Sequence, residues 1–99
     1  MDSSVDEKTK NKIVGIISVL IPEAKIYLFG SRARGNYKKH SDIDIALDAG
    51  KRLPIQDVDE VKSMLNESNI RQLIDVLDFH SVNSSMQESI MKEKIVWKS

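Results

Sequence analysis

From Asp42 to Leu47 the chain reads Asp-Ile-Asp-Ile-Ala-Leu, and no other stretch constrains its fold as strongly. A period of two puts Ile43, Ile45 and Leu47 on one face of a strand, with Asp42, Asp44 and Ala46 on the other. The apolar face calls for a covering layer. The opposite face then carries two carboxylates about 7 Å apart, close enough to grip neighbouring hard cations. Aspartate is otherwise depleted from strand interiors, so the competing origin of this pattern is a solvated strand edge or a turn.

The flanking segments supply the remaining layers. Ile13, Ile16, Ile17 and Leu20 recur at helical spacing between Asp6 and Leu20, and Pro22 ends that helix. Lys25 to Gly30, KIYLFG, is predicted as a strand, followed by the turn segment SRARGNYKKHS. Asp57 with Glu60 has the form of a capping box for a second long helix with the stripe Val58, Val61, Met64 and Leu65. Gln72 to Phe79 is predicted as a third strand, and Ser84 with Gln87 as the cap of a last helix bearing Met86 and Ile90. KIVW, residues 94–97, is an apolar segment with two readings: it completes the core, as a short edge strand or packed on the first helix, or it is an exposed patch centred on Trp97 for a partner. The order αβ(turn)βαβα implies an α/β (α+β) fold, a small mixed sheet backed by helices.

Ninety-nine residues suffice for one compact domain, 1–99, and leave no room for a second that recognises an elaborate substrate. Fifteen basic and fifteen acidic side chains cancel, so no global field draws the chain to nucleic acid or to an acidic membrane. The absence of cysteine excludes a thiolate metal site and a cysteine nucleophile, and suits a reducing cytoplasm. The opening MDSSVDEKTK lacks a signal peptide's apolar core, and no apolar run is long enough to span a bilayer. The expectation is a soluble, cytoplasmic protein.

Gly30 and Ser31 follow a strand, where glycine permits close backbone approach and the hydroxyl and amides can meet a phosphate; a plain capped turn has the same signature. Asp75 lies between Ile74 and Val76, where an unpaired carboxylate is costly unless a cation or an ion pair with Arg71 or a lysine offsets it. Asp78, three residues on, points to the other face of a regular strand and ranks second to Asp75. Arg32 and Arg34 sit beside the proposed phosphate position, suited to bidentate contact with phosphate or with a partner's acidic surface, or else to solvent. Asp48 precedes Ala49-Gly50 and is expected in a turn role; Lys38 and Lys39 are expected to face solvent. His80 has no second ligand at metal-binding spacing and is expected in a loop.

Gly30-Ser31, then Asp42-x-Asp44, then a later strand aspartate at Asp75 resembles the DNA polymerase β-like nucleotidyltransferase superfamily. Within it, GSRARG followed by SDIDIAL looks most like the minimal nucleotidyltransferases, antitoxin partners of helical HEPN ribonuclease toxins. The Arg34…His40 spacing also matches the HEPN ribonucleases' own motif, but it falls in a glycine-containing turn rather than a helix. The resemblance implies the nucleotidyltransferase fold, ATP as nucleotide donor, and two magnesium ions held by Asp42, Asp44 and Asp75. It also implies triphosphate contacts from Gly30 and Ser31, and transfer of AMP to a tyrosine hydroxyl on a HEPN toxin. Two alternatives stand beside it: the same chemistry directed at tRNA or a small molecule, and a non-catalytic module that masks the toxin.

Overall fold

The computed structural model describes residues 5–38 and 41–99; Lys39 and His40 lie outside the described residues. Four strands, β1 (Lys25–Phe29), β2 (Ile43–Asp48), β3 (Ile74–Asp78) and β4 (Ile95–Lys98), form one sheet in the order β3-β2-β1-β4. β1 is antiparallel to β2 and β4, whereas β2 and β3 run parallel, so the sheet is mixed as expected.

The alternation in β2 governs the layering. Ile43, Ile45 and Leu47 are fully buried, together with Ile26, Leu28 and Val76, beneath α1 (Glu7–Leu20) and α3 (Ile55–Asn66). Helix α1 begins where Asp6 accepts from the Thr9 amide at 2.8 Å, and it drives Ile13 and Ile17 into this core. The opposite face carries a smaller cluster of Tyr27, Phe29 and Ala46, covered by Ile90 of α4 (Ser84–Glu93). The two faces are thus unequally covered, and the thinly covered one holds Asp44 and Asp75.

Two expected helix starts are displaced. Helix α3 begins at Ile55, so Asp57 stands in the first turn rather than at the cap. Pro54 fixes the entry backbone, and its carbonyl accepts from the amides of Asp57 and Val58. Asn83, not Ser84, caps α4 by accepting from Met86 N at 2.8 Å; Gln87 instead donates to the Phe79 carbonyl. Of the expected α3 stripe, Val61 and Leu65 are buried, while Met64 is 45% exposed at the margin beside Val19 and Leu20 of α1.

Residues 95–97 do form the edge strand. Trp97 is half-buried against the main core, while Ile95 and Val96 remain exposed. Among the described residues, no helix is long and apolar enough to cross a membrane.

Candidate active site

At one end of the sheet, three strands deliver their functional residues side by side. Phe29, the last residue of β1, is in register with Asp44 of β2, and Asp44 with Asp75 of β3. Gly30 therefore turns beside the Asp44 carboxylate. Its φ of 78° lies in the region that favours glycine, and a β-carbon there would collide with Asp44 Oδ2 and lie 3.0 Å from its Cγ. Sequence position and side-chain size are both dictated: only glycine allows the turn and the carboxylate to share this space.

The four-residue helix α2 (Ser31–Arg34) follows, ended by Gly35 in the left-handed conformation, whose amide donates to the Ser31 carbonyl at 3.0 Å. Its two arginines have different fates. Arg32 is buried, and its Nε and Nη2 donate to the Ser41 carbonyl at 3.1 and 2.9 Å while its guanidinium lies 5.1 Å from the Tyr37 ring centroid. It fastens the segment that leads into Asp42, a placement different from the phosphate-facing one expected. Arg34 is half exposed, and its Nη1 lies 3.1 Å from Glu93 Oε2. Glu93 Oε1 in turn accepts from the Gly30 amide at 2.9 Å. Glu93 escaped the sequence reading because nothing local links it to Gly30, although it follows Ile90 by three residues and so shares the inward face of α4.

Asp42 and Asp75 are exposed and Asp44 is half-buried. Burial raises the Asp44 pKa, the charges of Asp75, Asp42 and Glu93 raise it further, and Arg34 opposes them. Neither Asp42 nor Asp75 has a hydrogen-bond or ion-pair partner among the described residues, so the Arg71 pairing considered for Asp75 is absent. As the side chains stand, no three acidic or imidazole groups among the described residues converge at metal-ligand geometry.

The other acidic candidates are committed to the fold. Asp78 is buried on the core side and accepts from the amides of Leu53 at 2.8 Å and His80 at 3.1 Å. Asp48 takes the expected turn role through the Gly50 amide at 2.9 Å, and also accepts from the Tyr27 hydroxyl and meets His80 Nε2 at 2.6 Å. His80, expected in a loop, stands in a short 3-10 turn (Phe79–Ser81) that follows β3 directly.

Comparison with known proteins places this geometry. The family model described as polymerase beta, nucleotidyltransferase, matches residues 11–99. The probable protein adenylyltransferase MntA of Haemophilus influenzae is 32% identical over 81 residues, covering 82% of this chain and 71% of that protein. A crystal structure of a toxin–antitoxin with AMP-PNP superposes with a TM-score of 0.77 at 29% identity, over 89% of this chain and 71% of that one. A tri-AMPylated Shewanella oneidensis HEPN toxin in complex with an MNT antitoxin gives 0.72 at 26% identity, over 92% and 70%. With the glycine turn, the paired strand aspartates and a family match across most of the sequence in agreement, the chain belongs to the polymerase beta nucleotidyltransferase family.

Proposed function

We propose that residues 1–99 act as a single minimal nucleotidyltransferase domain that moves AMP from ATP to a tyrosine hydroxyl of a HEPN-type toxin and silences it. The observation that carries this reading is the alignment of Asp44 with Asp75 across two parallel strands, with Gly30 packed against the Asp44 carboxylate. The names of the related antitoxins and adenylyltransferases supply the direction of transfer and the class of acceptor.

Asp42, Asp44 and Asp75 are the residues to hold magnesium. Their oxygens are hard donors, Asp44 is already destabilised as an anion by its neighbours, and Asp42 and Asp75, exposed and with no partner among the described residues, can turn toward a cation. When bound, two such ions supply charge neutralisation at the phosphates and favour the deprotonated acceptor. The chain's own residues do the rest. The Ser31 hydroxyl and amide receive phosphate oxygens at the Gly30 turn, and Arg34 adds a guanidinium at the same end. Arg32 acts indirectly, holding Ser41 and thereby Asp42. Asp75, exposed on the edge strand β3, faces the open side from which a protein acceptor approaches and accepts the proton its hydroxyl loses. The hydroxyl oxygen bonds to the α-phosphorus, the bond from that phosphorus to the bridging oxygen breaks, and diphosphate leaves.

The direct test is to incubate the chain with a HEPN-type toxin, ATP and magnesium, and to follow the toxin's intact mass. An increase by one or more AMP units, lost when the acceptor tyrosine is replaced by phenylalanine, supports the proposal. Complex formation that silences the toxin with no mass change would replace it with masking. Transfer to tRNA or a small molecule, but not to the toxin, would redirect it to another acceptor.

A further inference from the structure

Glu93 is the last residue of α4, yet its carboxylate lies at the Gly30 turn, 63 residues away in sequence. Oε1 accepts from the Gly30 amide at 2.9 Å, and Arg34 Nη1 reaches Oε1 and Oε2 at 3.3 and 3.1 Å. The Gly30 carbonyl already accepts from the amides of Ala33 and Arg34, so Glu93 fixes the other side of the same residue. A glycine at positive φ has little to restrain it but its hydrogen bonds. An arginine on a four-residue helix has a long side chain that otherwise samples many rotamers. One carboxylate meets both: its side chain is 20% exposed, so the Gly30 contact is partly shielded, whereas the contact to the 48% exposed Arg34 is open to solvent.

We propose that Glu93 is a positioning residue of the transfer reaction: it holds the Gly30 turn beside Asp44 and aims Arg34 at the incoming nucleotide phosphates. This rests on the nucleotidyltransferase reading above and adds to it a residue that touches neither substrate nor metal. Glu93 acts through two groups, and substitution separates them. Glu93→Gln keeps an oxygen for the Gly30 amide but removes the charge that orients Arg34, whereas Glu93→Ala removes both.

The experiment measures calorimetric binding of AMP-PNP with magnesium, KM and kcat for transfer, and melting temperature. Glu93→Gln is expected to weaken AMP-PNP binding about tenfold, the loss of one charge-assisted contact, and to raise KM for ATP in parallel with little change in kcat. Glu93→Ala weakens binding further and lowers kcat as well. Arg34→Ala combined with Glu93→Gln is expected to bind no more weakly than Arg34→Ala alone, since both act through one pair. Tighter nucleotide binding by Glu93→Gln would overturn the proposal, because the carboxylate would then be an obstacle that phosphate displaces. Unchanged binding, or fully additive loss in the double variant, would overturn it too. If Glu93→Ala does not fold, the Gln variant and the double variant still decide. Wild-type chain that binds AMP-PNP without transferring AMP defeats the transfer reading and leaves Glu93 to be judged on binding; wild-type chain that binds no nucleotide defeats both.

Discussion

Asp44 and Asp48 project from the same face of β2, four residues apart, and their electrostatic circumstances are opposite. Burial disfavours charge at both. At Asp44 the neighbouring charges are mostly carboxylates, and the pKa is raised. At Asp48 burial is outweighed by the Gly50 amide, His80 and the Tyr27 hydroxyl, and the pKa is lowered. One end of the strand is therefore an acid stabilised by its fold, and the other an acid its fold leaves uncompensated. A carboxylate supplied with three donors holds structure together. One kept beside other carboxylates is disfavoured as an anion, a cost that a bound cation would offset.

The largest expected effect comes from Asp44→Asn. Nucleotide transfer should fall by at least about two to three orders of magnitude, while the melting temperature of the metal-free chain rises. The sign follows from linkage: a carboxyl whose folded pKa is raised contributes stability at low pH that is lost as pH rises through that value. The wild-type chain in chelator should thus lose stability across the upper carboxylate range, and Asp44→Asn should lose less. Thermal melts from pH 3 to 7 check this, and a variant less stable than wild type at pH 7 without metal would remove the contrast with Asp48.

Gly30→Ala tests whether the uncompensated end depends on close approach. The strained φ and the collision with Asp44 are expected to cost about 1–3 kcal/mol of stability and most of the activity. Denaturant melts and transfer rates on one preparation measure both, and an alanine variant with wild-type values would show that the turn has room the geometry denies.

Asp48→Asn should do the reverse of Asp44→Asn: a loss of about 1–2 kcal/mol at neutral pH, with the folded fraction fully active. Because the Asp48 pKa is lowered, its contribution is present above the ordinary carboxylate range and lost as pH falls through the folded value. The stability difference between wild type and variant should therefore close in acid. A gap that stays constant down to the lowest pH reached before unfolding would sink the assignment.

Ser31→Ala is the smallest. One hydroxyl contact contributes on the order of 1 kcal/mol, so KM for ATP should rise severalfold while the protein melts as wild type. Activity as low as that of Asp44→Asn would make Ser31 more than an auxiliary phosphate contact.

The features legible in the sequence were those with local periodicity or fixed backbone demands. Ile43, Ile45 and Leu47 announced β2 because alternation has one structural solution, and Gly30 announced a turn because few other residues fit it. The start of α3 was misread because Asp57 and Glu60 satisfy a capping pattern from inside the first turn, and the Pro54 entry overrode it. The burial of Arg32 and the reach of Glu93 to Gly30 were hidden for a different reason. Both depend on tertiary placement, a carbonyl nine residues away in one case and an amide 63 residues away in the other. The partner of His80 was hidden likewise, 32 residues distant.

The placement of β1 between β2 and β4 has a consequence for the chain during its synthesis. Tyr27 and Leu28 meet Ala46 and Ile45 on one side soon after they are made, but their other edge waits for Val96 and Ile95. A nascent chain that has emerged only through β3 carries an open strand edge in the middle of its future sheet, free to pair with another copy. Over the same interval the Gly30 turn lacks its carboxylate, because Glu93 immediately precedes the segment that closes the sheet. Closure of the edge and the Glu93 contact at Gly30 therefore both depend on the same stretch, 93–98, and a chain that has not yet made it has neither.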